Sequence, residues 1–384
     1  VSQSPPQIEI AMVAGEASGD LLASLLLKGL REQGVDWQGS GVGAEHMAAQ
    51  GFRADWPSSK LSVRGYVEVL RHYRSLVALR RQLGDRWLAE RPDVFVGVDA
   101  PDFNLELAKR LRVQGVRTMH FVCPSIWAWR AERVKLIKEA VDHVLCIFPF
   151  EVDLLERHGI AATYVGHPIA QVMPLQPDAA AARSALNINE AGDGVIAIMP
   201  GSREPEVVHL LPRFLRAAAL MLKKRPELKF ILPAVPALRE RIDALVASHG
   251  KGLPLQIVAG QSHLCMTAAD VVLVASGTAT LEVALAKRPM VVAYHMATLS
   301  WWIHQRKRLQ PWVALPNILA EKFLVPELLQ GDAKPERLAH EVLAWLDDGV
   351  RVESLQQELV SMHQSLMADT ASLSARALRE VLDA

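Results

Sequence analysis

The chain has little that commits it to a metal, a membrane span or nucleic acid. Its three cysteines, Cys123, Cys146 and Cys265, show no CxxC and no Cys/His metal spacing, which argues for a reducing compartment and against structural zinc. No apolar run approaches the ~20 residues needed to cross a bilayer. The formal net charge is +0, so bulk electrostatics draw it to neither nucleic acid nor anionic membrane, and any such attraction must be local. The opening VSQSPPQIEI lacks the basic and apolar regions of a secretory leader. Internal repeats and long low-complexity segments are missing. So is a full GxGxxG, which leaves a dinucleotide-binding reading weak.

What is there is apolar and alternating. Half of the 384 residues are hydrophobic and 22% are charged, which suits a compact α/β protein with material for two cores. In the first half, 8–20 (IEIAMVAGEASGD), 93–104 (DVFVGVDAPDFN), 117–129 (RTMHFVCPSIWAW) and 141–148 read as strands, several running into turns, with helical stretches between them. Asp20 leads into the helical run 21–30. The second half repeats the alternation with strands at Val195–Met199, 229–232, 255–258, Val271–Ala275 and 289–294. Strands alternating with helices make doubly wound parallel sheets the expected fold. The proline- and alanine-rich stretch 171–182 has no apolar period and reads as a hinge. The expected division is 1–170, 183–350, and helices over 351–384 able to pack back on the first domain.

The stretch 195–207, VIAIMPGSREPEV, organises the second half. An apolar run ends at Pro200-Gly201, and Glu204-Pro205-Glu206 start a helix with an early proline and first-turn acids. Such a strand, turn and helix start leaves backbone N–H groups free at the positive helix end, a ready place for a phosphate. Ser202 adds a hydroxyl and Arg203 a guanidinium suited to bidentate phosphate contact; an ordinary turn with a solvated arginine is the plain alternative. The stretch 271–282, VVLVASGTATLE, repeats the arrangement with Ser276, Gly277 and Thr278. Glu282 falls about one turn into that helix, where its carboxylate can accept both hydroxyls of a ribose. Together they describe a nucleoside diphosphate site that needs no metal. In the first half, Asp99 and Asp102 follow a buried strand at its carboxyl end, where parallel sheets bind ligands. His167, in YVGHP, reads as a loop histidine.

Motifs in order along the chain resemble those of the lipid A disaccharide synthases: AGEASGD at 14–20, VDAPDFN at 98–104, PSIWAW at 124–129, VGHP at 165–168, PGSR at 200–203, ASGTATLE at 275–282 and LPNILA at 315–320. The resemblance implies a B-type glycosyltransferase, α/β with two Rossmann-like domains facing a cleft, the donor nucleotide in the C-terminal one and the acceptor in the N-terminal one. It implies an inverting transfer of 2,3-diacylglucosamine from UDP-2,3-diacylglucosamine to 2,3-diacylglucosamine 1-phosphate, giving a β(1→6)-linked disaccharide 1-phosphate and UDP. It also implies a Gram-negative, cytoplasmic enzyme held peripherally on the inner membrane, and leaves a homodimer open. On these motifs the donor contacts fall on Gly201, Ser202, Arg203, Ser276, Gly277, Thr278, Glu282 and Asn317, and the acceptor side on Ser18 and Gly19. Asn317 stabilising its own turn is the competing reading.

The reaction asks for a base on the acceptor hydroxyl and for partners to the leaving pyrophosphate. Asp99 is the expected base, with Glu16 the alternative; Asp99 holding its own turn is the structural reading. Asp102 is expected to hold the turn. Arg203 and the helix starts are expected to stabilise the pyrophosphate. No DxD pair sits beside the phosphate motifs, so no metal and no cofactor is expected.

Two stretches bear on an acylated substrate. In 61–83, LSVRGYVEVLRHYRSLVALRRQL, helical spacing puts Val63, Tyr66, Val67, Leu70, Tyr73, Val77 and Leu83 near one side with arginines interleaved. Val67, Leu70, Tyr73 and Val77 are the expected membrane face. In 301–312, WWIHQRKRLQPW, three tryptophans accompany Arg306-Lys307-Arg308. Each also reads as a core helix with a basic outer side, and it is the acylated substrates implied by the resemblance that turn the reading toward the membrane. Three function classes remain in view: a glycosyltransferase on lipid substrates, a nucleotide-sugar epimerase of the same fold, and a non-catalytic nucleotide-binding protein. The first is favoured.

Overall fold

Several of the most apolar runs become strands buried along their whole length, as parallel sheets covered by helices on both faces require. The computed structural model describes residues 7–61, 66–128, 130–188, 194–295 and 309–384, with backbone alone for 66–73. β1 (Ile8–Ala14), β2 (Trp37–Gly43), β3 (Arg53–Pro57), β4 (Val94–Val98), β5 (Arg117–Phe121), β6 (His143–Cys146) and β7 (Ala162–Tyr164) form one sheet in the order β3-β2-β1-β4-β5-β6-β7. β8 (Val195–Met199), β9 (Lys229–Ala234), β10 (Leu255–Ala259), β11 (Val271–Ala275), β12 (Met290–Tyr294) and β13 (Glu327–Leu329) form a second, ordered β10-β9-β8-β11-β12-β13. Both are parallel, and the chain is α/β with two doubly wound sheets. In each, strand order reverses beside the first strand: between β1 and β4, and between β8 and β11. At such a point the following connections leave toward opposite faces and open a crevice at the carboxyl ends of the strands.

The chain divides into two units, Val1–Pro168 with Leu366–Ala384, and Ile169–Ser365. The stretch read as a hinge, 171–182, lies inside the second unit and carries parts of two short helices, Pro168–Val172 and Ala179–Ala185. The second starts on a cap that the sequence shows, Asp178, whose carboxylate accepts from Ala181 N at 2.9 Å. Nearly all of the tail before residue 366 belongs to the second unit, while its last helix, Thr370–Asp383, packs along the helix Ala17–Glu32 of the first. The stripe Ala371, Ala375, Leu378 and Val381 is what it buries.

The helix Tyr66–Glu90 buries Leu79, Leu83 and Trp87 in the core of the first unit, whereas Val77 is 37% exposed. Val77 and Leu83 therefore do not share a side; six residues turn the helix by about 600°, which separates them. Among the described residues no helix is long and apolar enough to cross a membrane.

Candidate functional site

At the switch point of the first sheet, the backbone leaving β4 takes an unusual path. Asp99 has φ +52° and Ala100 φ +42°, consecutive left-handed residues neither of which is glycine. Each costs roughly 1–2 kcal/mol, so the surroundings must hold them. Asp99 N donates to Phe121 O at 2.9 Å. The Asn104 amide, fully buried, donates to Asp99 O at 2.8 Å and to Val13 O and Val98 O at 3.3 Å. Asn104 fits because β4 carries glycine beneath it: a Cβ on Gly97 would lie 2.7 Å from Asn104 Cβ.

The turn leaves the Asp99 carboxyl half-buried. Burial raises its pKa above the ordinary value, a backbone hydrogen bond from Ala100 opposes this, and the charge of Glu16 adds to the rise. Glu16 stands on the other loop of the same switch point, as N-cap of the helix Ala17–Glu32. The structure thus brings the two candidate bases together. Ser18 is exposed on the first turn of that helix, and Gly19 is buried against Val98. Asp20 does not begin the helix, which starts at Ala17; its buried carboxylate accepts from Ala44 N at 2.7 Å and His46 N at 2.8 Å. Asp102 sits in the first turn of the helix Pro101–Arg112, exposed and paired with Arg133.

The second switch point is built differently. Gly201 has φ +112°, and a Cβ there would lie 2.3 Å from Glu206 Oε2. That oxygen accepts from Ser202 N at 3.1 Å and Arg203 N at 3.3 Å, while Oε1 accepts from Arg203 Nη1 at 3.0 Å. The start of the helix Glu204–Lys224 therefore already holds an anion, the chain's own carboxylate. The Arg203 side chain is 68% exposed. On the facing loop, Ser276 Oγ donates to Val313 O at 3.1 Å and Thr280 Oγ1 to Gly277 O at 2.8 Å. The N–H groups of Gly277, Thr278 and Ala279 meet no acceptor among the described residues. Glu282 Oε2 lies 2.9 Å from His263 Nε2, and this contact raises the pKa of His263.

Asn317 requires a correction. Its amide donates to Val325 O and Glu327 Oε1, both at 2.9 Å, and its carbonyl accepts from Leu324 N at 2.8 Å and Val325 N at 2.9 Å. With two donors and two acceptor sites all engaged, this buried side chain has nothing left for a ligand. It braces a loop instead. Glu327, which it holds, accepts from Val313 N and Ala314 N, and the Val313 carbonyl receives Ser276 Oγ. Asn317 thus reaches the donor loop at second hand.

In PSIWAW, Trp127 Nε1 donates to Glu151 Oε1 at 3.0 Å. Glu151 is 1% exposed, and burial pushes its pKa up to about 8. His167 is buried against Phe148, 5.5 Å between rings, and burial lowers its pKa to about 4. Trp129, Val63, Trp301, Trp302 and Arg306–308 lie outside the described residues, as do the side chains of Tyr66, Val67, Leu70 and Tyr73. Among the described residues no group of His, Cys, Asp and Glu is placed to hold a metal ion.

Sequence reasoning passed over the roles of Asn104, His263 and Glu151, and took Glu206 only as a first-turn acid. Only Glu206 carried a local signal, an acid three residues after the N-cap. The others act through partners distant in sequence or across a turn.

Residues 10–381 match the family model described as Lipid-A-disaccharide synthetase. A Lipid-A-disaccharide synthase of Albidiferax ferrireducens is 56% identical over 386 residues, covering 99% of this chain and 99% of that one. Among solved structures, UDP-GlcNAc 2-epimerase from Neisseria meningitidis bound to UDP-GlcNAc is similar with a TM-score of 0.61 at 12% identity, over 99% of this chain and 100% of that one. The glycotransferase of kitacinnamycin is similar with a TM-score of 0.59 at 16% identity, over 98% and 100%. At those identities the likeness is one of fold.

Proposed function

The chain belongs to the lipid-A-disaccharide synthase family, and from that membership we propose how its two switch points divide the transfer. It is a UDP-sugar-dependent glycosyltransferase that forms the lipid A disaccharide. In this proposal the donor is UDP-2,3-diacylglucosamine and the acceptor 2,3-diacylglucosamine 1-phosphate. The diphosphate takes the N–H groups of Gly277 and Thr278 and those of Ser202 and Arg203, displacing Glu206 from the latter pair. Arg203 then turns from its own carboxylate to the leaving UDP, whose negative charge grows as the glycosidic bond breaks. Glu282 takes the ribose hydroxyls.

Asp99 removes the proton of the attacking hydroxyl. The observation that carries this is the braced left-handed turn at 99–100, which holds a half-buried carboxyl of raised pKa at the carboxyl end of β4, beside the switch point of the first sheet. Burial keeps that pKa up and the charge of Glu16 adds to it, and Ser18 and Gly19 border the acceptor. The helix Tyr66–Glu90 rests on the inner-membrane surface through Val67, Leu70, Tyr73 and Val77, while Leu79, Leu83 and Trp87 tie it to the core.

The test is release of UDP from UDP-2,3-diacylglucosamine as the acceptor is varied. Release only in the presence of the acylated sugar 1-phosphate is expected. Release without it, or epimerisation of UDP-GlcNAc, would contradict the proposal, since an epimerase shares the fold and needs no acceptor.

A further inference from the structure

The second unit holds a cavity of about 450 Å³ between the first half of the helix Glu204–Lys224, the residue that follows β12 and the turn after β13. That volume falls within the range of small-ligand sites, roughly 300–1,000 Å³. The transfer reaction as proposed makes no use of it. The lining is basic: His209, Arg213 and Arg216 from one side of the helix, His295 after β12, and Lys334 from the turn. No Asp or Glu is among the described residues that line it. Arg213 and the two histidines are half-buried, and Arg216 and Lys334 stand exposed at the rim. Asp332, close by in sequence, is paired with Arg337.

The hydrogen bonds inside this cluster are incomplete. Arg213 Nη2 lies 3.0 Å from His295 Nε2. A guanidinium only donates, so Nε2 accepts and the proton of the neutral ring sits on Nδ1. His295 Nδ1 is buried and has no hydrogen-bond partner among the described residues. The other Arg213 arm donates to His209 O, and the rings of His209 and His295 are 5.3 Å apart. Burial and Arg216 lower the proton affinity of Arg213; burial, Arg213 and His209 do the same to His295. Lys334 and Pro335, the N-cap and first residue of the helix Pro335–Asp347, add the positive end of a helix to the same wall. Crowded positive charge, an unmet donor and a helix start in one cavity are together relieved by an anion.

We propose that this cavity is a second anion site, separate from the diphosphate loop at 201–203, and that it takes a phosphate monoester. The choice of anion follows from the donors. They approach from three elements, and a monoester offers three acceptor oxygens and a charge of roughly −1.5 to −2 at neutral pH. A sugar 1-phosphate, a lipid monoester headgroup and free phosphate all carry that group. The site does not rest on the donor assignment, and UDP binding is measured beside it to keep the two apart.

The experiment is calorimetric titration of the full chain at low salt with inorganic phosphate, glucosamine 1-phosphate and UDP, with sedimentation on phosphatidylcholine vesicles containing phosphatidate or phosphatidylglycerol. Phosphate is expected to bind, and Arg213→Gln/Arg216→Gln to weaken it by about tenfold or more while UDP affinity stays within about twofold. Arg216→Gln and Lys334→Gln, both at the exposed rim, test the site without disturbing the interior and are each expected to weaken phosphate about threefold. Retention on phosphatidate vesicles that phosphate reverses supports a lipid monoester as the source. Binding of the soluble esters with no vesicle retention supports a soluble one. No binding of any probe, unchanged phosphate affinity in all variants, or one-for-one competition by UDP overturns the proposal.

Discussion

At the β1/β4 switch a carboxyl is held out by backbone that must be forced into place; at the β8/β11 switch, N–H groups are held out and two of them, those of Ser202 and Arg203, already face a carboxylate. Asp99 and Ala100 sit at positive φ under the buried Asn104 amide, so the first site is fixed before any ligand arrives. Ser202, Arg203 and Glu206 satisfy one another on an exposed turn, so the second is closed on itself and, as proposed, opens by exchange with the diphosphate. The difference follows the chemistry proposed for each. A base has to keep one position and a raised pKa through every turnover. A leaving-group site must release its anion each time, and an internal carboxylate limits the cost of an unpaired arginine and helix start in between.

That contrast is most sharply broken at Asp99. Asp99→Asn keeps shape but cannot take a proton, so transfer is expected to fall by about 10²–10⁴, with the UDP dissociation constant unchanged by calorimetry. Weakened UDP binding in this variant would erase the division of labour. Next in size, Arg203→Ala removes the proposed charged partner of the diphosphate and is expected to cost about tenfold to a hundredfold in turnover and UDP-sugar affinity. Wild-type kinetics in a folded Arg203→Ala protein would remove the pyrophosphate assignment.

Asn104→Ala probes what the first site has and the second lacks. It strands the Asp99 carbonyl and frees the strained turn, so a stability loss of about 1–3 kcal/mol by urea titration is expected, with a slower rate and unchanged UDP affinity. An unaltered rate would mean that the bracing is structural alone. The smallest effect belongs to Glu206→Gln. Taking away the competing charge is worth about 0.3–1 kcal/mol, so UDP is expected to bind roughly two- to fivefold tighter. Weaker UDP binding would show that Glu206 shapes the loop for the phosphate rather than standing in for it.

The sheets were largely legible because burial on both faces writes a continuous apolar run, and β8 and β11 begin and end where the sequence puts them. Their turns were legible through glycine, which marks Gly201 but says nothing of Asp99 and Ala100, where tertiary bonds impose the same handedness on other residues. The saturation of Asn317 was hidden for a similar reason. Its partners lie up to ten residues downstream, and nothing in LPNILA records them. Glu206 was visible as a first-turn acid; its carboxylate folding back over Ser202 and Arg203 depends on the path through Gly201.

The pH dependence of transfer reads the central claim most directly, because a base at Asp99, as proposed, works only when ionised, and burial, helped by Glu16, holds the pKa of Asp99 above the ordinary 3.8. The rate of the wild-type chain, measured at saturating substrates, is predicted to fall as pH drops through that raised value, and the residual rate of Asp99→Asn to show no such acid limb. An acid limb that persists unchanged in Asp99→Asn, or a variant retaining more than about a tenth of the wild-type rate, would contradict the assignment and move the base to Glu16.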